Sequence, residues 1–392
     1  MPENWKTYKL KDIATLQRGF DLPTKKRVSG NVPIVAASGI GGYHNQAKVK
    51  GPGVITGRSG TIGKVMYQKD DFWPLNTSLW VKDFHGNDVR FIYYLLSNFD
   101  FTGFNNGTSV PTLNRNDVHS VELNIPELQE QKSIASILSA LDDKIELNLQ
   151  MNKTLEDMAM ALYKHWFVDF GPFQDGEFVD SELGEIPKGW EVKKLKDYIK
   201  NSQYGFTQSS SSEKIGPKFL RITDIQGGTV NWDDVPYCKT TEKEFEKYKI
   251  VKGDIFVART GNSTGENVYT LKPQNAVFAS YLIRFQFQEI HQACYIAKIF
   301  RSKTFSDFIN GAKVGSAQPG ISASALGELQ ILIPPDSILK SFFEIVNPLD
   351  IKRETVFEEN QTLTQLRDTL LPKLISGEVR VKDAEQIVTE VL

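Results

Sequence analysis

The chain has 392 residues, 40% of them hydrophobic and 24% charged, with a formal charge of −2, a soluble-protein composition with enough chain for two or three cores. The opening "MPENWKTYKL" lacks the apolar stretch of a signal peptide, and no apolar run nears the roughly 18 residues of a membrane span, so a cytoplasmic protein is expected. Cys238 and Cys294 alone exclude a disulfide framework or a CxxC metal site, and the five histidines are scattered.

From the N-terminus to residue 125, short β-branched and aromatic runs such as "GPGVITGRSGTIGKVMY" alternate with glycine-rich turns, and "DVRFIYYLLSNF" has a helical pattern. These features predict a mixed α/β globule dominated by a twisted sheet. After Pro126 the period changes. Ile134, Leu138, Leu141, Ile145, Asn148, Asn152, Leu155, Ala159, Leu162 and Trp166 step by four and three, a heptad seam on a long helix. Residues 190 to 333 return to strands and loops, as in "GDIFVARTGNSTGENVY". Beyond Pro334 a second seam follows: Phe342, Val346, Leu349, Arg353, Val356, Asn360, Leu363, Arg367, Leu370 and Leu374. Arg353 and Arg367 are expected to reach outward at the edges of this seam, and Pro372 is expected to end the helix near its last turn.

The alternation is an internal repeat. "WKTYKLKD" at Trp5 returns as "WEVKKLKD" at Trp190. A shift of 208 positions aligns Pro126 with Pro334, Lys132 with Lys340, Asp142 with Asp350, Asn152 with Asn360 and Leu162 with Leu370. The expected architecture is α+β: two mixed α/β globules, 1–125 and 190–333, separated by 126–189 and 334–392. The two long helices in those spacers are expected to pack as an antiparallel coiled coil under a pseudo-twofold, with Asn152 and Asn360 setting the register.

Charge follows the same division. Residues 1–125 and 190–333 each carry a net +5, while 126–189 carries −8 and 334–392 carries −4. Two basic lobes joined by acidic helices suit a polyanion gripped at two places. The loops supply candidate contacts. In the first lobe they are Arg18, Lys25, Lys26 and Arg27, then Arg58, Ser59, Thr61 and Lys64 in "GRSGTIGK", then Asn105, Asn106 and Thr108. In the second they are Gln203, Gln208 and Lys214, then Arg259, Thr260, Asn262, Ser263 and Thr264, then Lys313, Ser316 and Gln318. Small residues let backbone amides approach phosphates, and Arg, Asn and Gln can pair bidentately with base edges.

The same loops fail as catalytic motifs. "GRSGTIGKV" lacks the GxxxxGK[ST] spacing of a phosphate loop, "GRSGT" is not GxSxG, and "NPLD" lacks the prolines and aromatic residue of an amino-methyltransferase clamp. "PDSILKSFFEIV" has no downstream Glu-x-Lys to complete a nuclease site. Neither catalytic nor metal-ligating residues are expected.

The stretches "IPELQEQKSIASIL", "ALYKHWFVDFGPF", "LGEIPKGWEVKKLKD" and "LLPKLISGEVRV" closely resemble the specificity subunit of type I restriction-modification systems, over the whole chain and in the order of that family. The resemblance implies two target-recognition domains, each reading one half of a split site in double-stranded DNA. It also implies that this non-catalytic subunit docks two methyltransferase subunits and the restriction subunits that translocate and cut DNA. Cofactors would belong to those partners: S-adenosylmethionine, ATP and Mg²⁺. One departure is that "SILKSFF" stands where a second "EQK" would precede the distal helix. The competing reading is a two-lobed protein-protein scaffold without DNA contact.

Overall fold

The computed structural model describes residues 4–104, 112–313 and 320–391. The chain forms two compact units, Met1–Leu147 with Thr362–Leu392, and Asn148–Gln361.

The first unit runs through β1 (Lys6–Lys9), α1 (Leu10–Ile13), β2 (Thr15–Arg18), β3 (Val32–Ala36), β4 (Gly39–His44), β5 (Gly53–Gly57), β6 (Val65–Gln68), β7 (Trp73–Pro74) and β8 (Ser78–Asp83). Then come α2 (Val89–Ser97), α3 (Arg115–His119), β9 (Glu122–Ile125) and the start of α4 (Leu128–Phe167). Among the described residues, three small sheets stand in place of one dominant one, ordered β2-β8-β5-β6, β4-β3-β7 and β1-β9. The strands are two to six residues long, and Pro74 denies β7 a ladder donor, which confines that strand to an edge. Helix α2 begins where the Asp88 side chain accepts the Phe91 amide at 2.9 Å. It buries Phe91, Ile92, Tyr94, Leu95 and Leu96 in a core shared with Trp5, Leu10, Ile134, Leu138 and Leu141.

The second unit contains the hairpin β10 (Phe178–Ser181) and β11 (Gly184–Pro187), then β12 (Glu191–Lys194), β13 (Asn201–Tyr204), β14 (Lys218–Leu220), α5 (Glu242–Tyr248), β15 (Ile255–Ala258) and β16 (Asn267–Tyr269). It continues with β17 (Ala276–Phe278), β18 (Leu282–Gln286), α6 (Ile290–Arg301), α7 (Lys303–Lys313), α8 (Ala323–Gly327), β19 (Gln330–Ile333) and the first part of α9 (Asp336–Ser376). The last helix of the chain, α10 (Val381–Val391), belongs to the first unit.

The repeat holds in the four-stranded sheet and in the strand pair that opens and closes each lobe. Sheet order β13-β18-β15-β16 copies β2-β8-β5-β6. Strand β12 pairs with β19 in the register of β1 with β9, Glu191 opposite Ile333 as Lys6 is opposite Ile125. Leu10 donates its amide to Val121 O at 2.8 Å, and Leu195 donates to Leu329 O at 2.8 Å. Trp5 and Trp190 are both buried. The shared opening octapeptide is therefore the first strand and turn of each lobe.

Helices α4 and α9 have 40 and 41 residues, about 60 Å each at 1.5 Å per residue, and each contributes a segment to both units. Within the first unit Asp142 of α4 pairs with Arg367 of α9 at 2.9 Å, while Glu130 pairs with Arg380 just past α9 at 3.2 Å. Within the second, Glu156 pairs with Arg353 at 3.3 Å and the Trp166 ring lies 5.8 Å from Phe342. Rising numbers on one helix meet falling numbers on the other in both units, so the segments run antiparallel. Leu138, Leu141, Leu363, Leu370 and Leu374 are buried in the first unit, and Ala159, Phe342, Val346 and Val356 in the second.

Two expectations change. Arg353 and Arg367 do not reach into solvent but meet carboxylates of the facing helix, because Glu156 and Asp142 give each guanidinium a counter-ion beside the seam. Pro372 does not end α9, which continues to Ser376. Burial of Leu374 and Ile375 outweighs the one helix hydrogen bond that Pro372 removes, and Gly377, at φ 73°, is the true stop. In the seam, Asn152 is only half-buried, whereas Asn148 is fully buried with neither amide atom hydrogen-bonded and Asn360 is 7% exposed.

Candidate nucleic-acid interface

Each lobe presents one loop at the same backbone position. In the first lobe it joins β5 to β6: the amides of Arg58 and Ser59 both donate to Thr77 O at 2.9 and 3.1 Å, and Arg58 O accepts from Leu113 N at 2.8 Å. In the second it joins β15 to β16: Arg259 N donates to Tyr281 O at 3.0 Å, and Arg259 O accepts from Ile321 N at 2.8 Å. Ser59 bridges to Thr112 as Thr260 bridges to Gly320. Arg58 and Arg259 are therefore structural equivalents, each half-buried. The first loop needs its glycine: a Cβ on Gly57 would stand 1.8 Å from Thr61 O.

This geometry limits how the loops can act. The amides of Arg58 and Ser59 are spent on Thr77, so they are not available to phosphates, and at these two positions contact would be through the side chains. Ser59 is half-buried and Thr61 exposed. Lys64 is exposed, with its ammonium 2.7 Å from Ser38 O, which ties the loop to the β3–β4 hairpin. Arg27 donates to Leu22 O and to Gly41 O at 3.4 and 3.1 Å, bracing that hairpin from its other end. Arg18 closes β2, and Lys25 and Lys26 lie in a single 3-10 turn; all three are exposed.

In the second lobe, Thr264 is buried with its hydroxyl 2.7 Å from Gly261 O, so it braces its own loop and is not presented at the surface. Gln203 accepts from Arg284, which is 6% exposed and lies 3.6 Å from Asp254. Burial pulls the Arg284 guanidinium below its ordinary range and pushes the Asp254 carboxyl above its own. Gln203 is thus committed inward. Gln208 is exposed and donates to Lys239 O at 3.4 Å. Lys214 and Asn262 are exposed, Thr260 and Ser263 half-buried. Asn105, Asn106, Thr108, Ser316 and Gln318 lie outside the described residues, as does the side chain of Lys313.

Among the described residues, none of Arg18, Lys25, Lys26, Arg58, Lys214 and Arg259 has a carboxylate partner, although many other cations do, among them Lys298, Arg301, Arg353 and Arg367. Cations left without counter-ions on a lobe of net +5 are what an incoming anion would neutralise. Among the described residues no group of three or more His, Cys, Asp or Glu could hold a metal ion, and no helix is long and apolar enough to cross a membrane.

Sequence reasoning missed one residue beside the candidate site. Arg259 lies over the Tyr204 ring, its guanidinium carbon 4.7 Å from the ring centroid. The signal was present, since "QRGF" at Gln17 returns as "QYGF" at Gln203 and the two stretches fold identically. Phe20 N donates to Pro74 O and Phe206 N to Phe278 O, while Phe20 O and Phe206 O accept from Asn76 N and Ser280 N at 3.1 Å each. A Cβ on Gly19 or Gly205 would lie 2.1 Å from Leu75 O or 2.3 Å from Ala279 O.

Known proteins with this organisation exist. The chain matches the type I restriction modification DNA specificity domain twice, over residues 2–157 and 187–365. It is 27% identical to the type I restriction enzyme MjaIX specificity subunit of Methanocaldococcus jannaschii, covering 98% of this chain and 95% of that one. It is 24% identical to the HindI specificity subunit of Haemophilus influenzae, covering 96% and 100%. The fold resembles the crystal structure of a type I restriction-modification S subunit from M. genitalium, with a TM-score of 0.65 and 18% identity over 95% of this chain and 96% of that one.

Proposed function

Because this chain belongs to the type I restriction-modification DNA specificity family, we propose that it reads a bipartite sequence in double-stranded DNA, one half-site per lobe. The observation that carries this reading is the equivalence of Arg58 and Arg259. Two copies of one loop, built by the same backbone hydrogen bonds, each present a guanidinium with no counter-ion among the described residues on a basic lobe, and such a guanidinium is a fork that can read a guanine edge. The acidic helices bear no such loop. In this reading they set the gap between half-sites and dock two modification subunits, which bring S-adenosylmethionine, and the restriction subunits, which bring ATP and Mg²⁺. The chain itself performs no chemistry and works in the cytoplasm.

The test is lobe exchange. Replacing residues 1–125 by those of a relative in the assembled complex should change one half of the methylated sequence and leave the other intact. A change in both halves would show that the lobes do not read independently. Methyl transfer or cleavage by the purified chain alone, with S-adenosylmethionine or ATP and Mg²⁺ supplied, would overturn the non-catalytic assignment.

A further inference from the structure

We propose that Tyr204 is a specificity-determining position of the second lobe, where its ring fixes the plane of Arg259 before DNA arrives. This rests on the DNA-reading role proposed above. The ring is held at both ends. Its backbone lies in β13, paired with Ile283 of β18, and its hydroxyl accepts the Ala323 amide at the start of α8 at 2.8 Å. Arg259 is equally constrained, with its own amide and carbonyl bonded to Tyr281 and Ile321 and its guanidinium 4.7 Å from the Tyr204 centroid. A guanidinium stacked on an aromatic face keeps its in-plane N–H fork free for an acceptor pair. Because the fork is already oriented, less side-chain entropy is lost on contact, and discrimination at that base pair sharpens.

The first lobe shows that the frame does not require this tyrosine. Arg18 stands in the place of Tyr204, followed by the same Gly-Phe step with the same hydrogen bonds, and it is exposed. An arginine there cannot offer Arg58 an aromatic face; it adds a second like charge. The frame residues Gly19 and Gly205 are dictated by the backbone crowding described above, whereas the residue before them differs in chemical character between lobes. A position that varies on a constant frame, beside the candidate reading residue, is where the two lobes acquire different preferences.

The test selects randomised DNA duplexes with the full chain assembled with its modification subunits, comparing wild type, Tyr204→Ala, Tyr204→Phe and Arg259→Lys. Wild type should select a bipartite sequence; selection of none would overturn the DNA-reading role itself. Tyr204→Ala should relax preference about tenfold at one position of one half-site and leave the other half-site unchanged. Tyr204→Phe, which keeps the ring on β13 but loses its bond to the Ala323 amide, should relax that position less than the alanine variant does. A selective wild type with an unchanged Tyr204→Ala, with a uniform loss over all sequences, or with Tyr204→Phe as relaxed as the alanine variant would overturn the inference alone. Should the alanine variant not fold, Tyr204→Leu takes its place: it fills the space without a ring face, so relaxed preference at the same single position that Arg259→Lys relaxes supports the proposal, and an unaltered profile overturns it.

Discussion

Lys298 and Asp350 form a buried ion pair, with the ammonium 2.6 and 2.7 Å from the two carboxylate oxygens and the side chains 8% and 5% exposed. The pair joins α6 to α9 within the second unit. The repeat partner of Asp350 is Asp142, which accepts the Tyr94 hydroxyl at 2.6 Å and pairs with Arg367 in the first unit. The same aspartate thus ties lobe to long helix twice, once to an ammonium and once to a phenol.

Asp350→Ala strands the Lys298 charge and should destabilise the second unit by about 3–5 kcal/mol, whereas Lys298→Met combined with Asp350→Leu should recover most of that loss. Urea unfolding followed by tryptophan fluorescence reads both. An Asp350→Ala midpoint equal to wild type would sink the assignment.

Arg58→Ala and Arg259→Ala should each cost about 1–3 kcal/mol at one base pair of one half-site if the arginine pairs with a base edge. The measurement is a binding panel substituted one base pair at a time. Equal weakening on every sequence would identify a phosphate contact instead.

Lys25 and Lys26 lie on an exposed turn with no carboxylate partner among the described residues, and they should act on phosphates. Changing both to alanine should lower the salt dependence of log K by about one for each lysine and leave base preferences untouched. Titrations at four salt concentrations would show it, and an unchanged slope would remove these residues from the interface.

Glu156 is half-buried, which alone would raise its pKa, but hydrogen bonding and charge from Arg301, with the charge of Arg353, win and hold it below the ordinary glutamate range. Its folded pKa lies below its unfolded value, so its stabilising contribution is complete above the unfolded value of about 4.5. That contribution fades as pH falls below this value and through the folded pKa. Glu156→Gln should therefore lower stability at neutral pH and flatten its acid limb. Urea midpoints between pH 7 and pH 3 test this, and parallel curves for variant and wild type would refute it.

For the long helices, deleting Asn148–Thr154 together with Val356–Thr362 removes one heptad from each, about 10 Å of helix. At 3.4 Å per base pair this corresponds to about three base pairs, so the preferred gap should shorten with the half-sites unchanged. Affinity should fall on every gap, because three base pairs also turn one half-site by roughly a third of a helical turn. Full binding at the original gap would show that the helices do not set it.

The long helices were legible because Leu138, Leu141, Leu363 and Leu370 repeat at heptad spacing over many turns, and the lobes because Trp5 and Trp190 head matching strands. The partners of Arg353 and Arg367 were not, since nothing in one helix's sequence says which carboxylate of the other will face it. Pro372 misled for a related reason: a local stop signal lost to burial of Leu374 and Ile375. At the candidate site, the pairing of Arg58 with Arg259 was legible from loop composition. The inward turn of Gln203 and Thr264 depends on Arg284 and on the closure of a loop, neither of which has a sequence pattern. Tyr204 has no such signal by itself, because a single tyrosine after a glutamine means little until its strand is aligned with that of Arg18.

The antiparallel pairing of β1 with β9, and of β12 with β19, brings the chain's way into each lobe beside its way out, one strand spacing of about 5 Å apart. Whatever lies between is a closed excursion whose length does not alter where its ends meet the helix. The second lobe carries an extra stretch that includes α5 before its Arg259 loop, yet its closing strand has the same register as the first. Residues can therefore be gained, lost or wholly replaced inside either excursion without displacing the helix that follows. The burden of change falls on the reading surface, and the junction is left as it was.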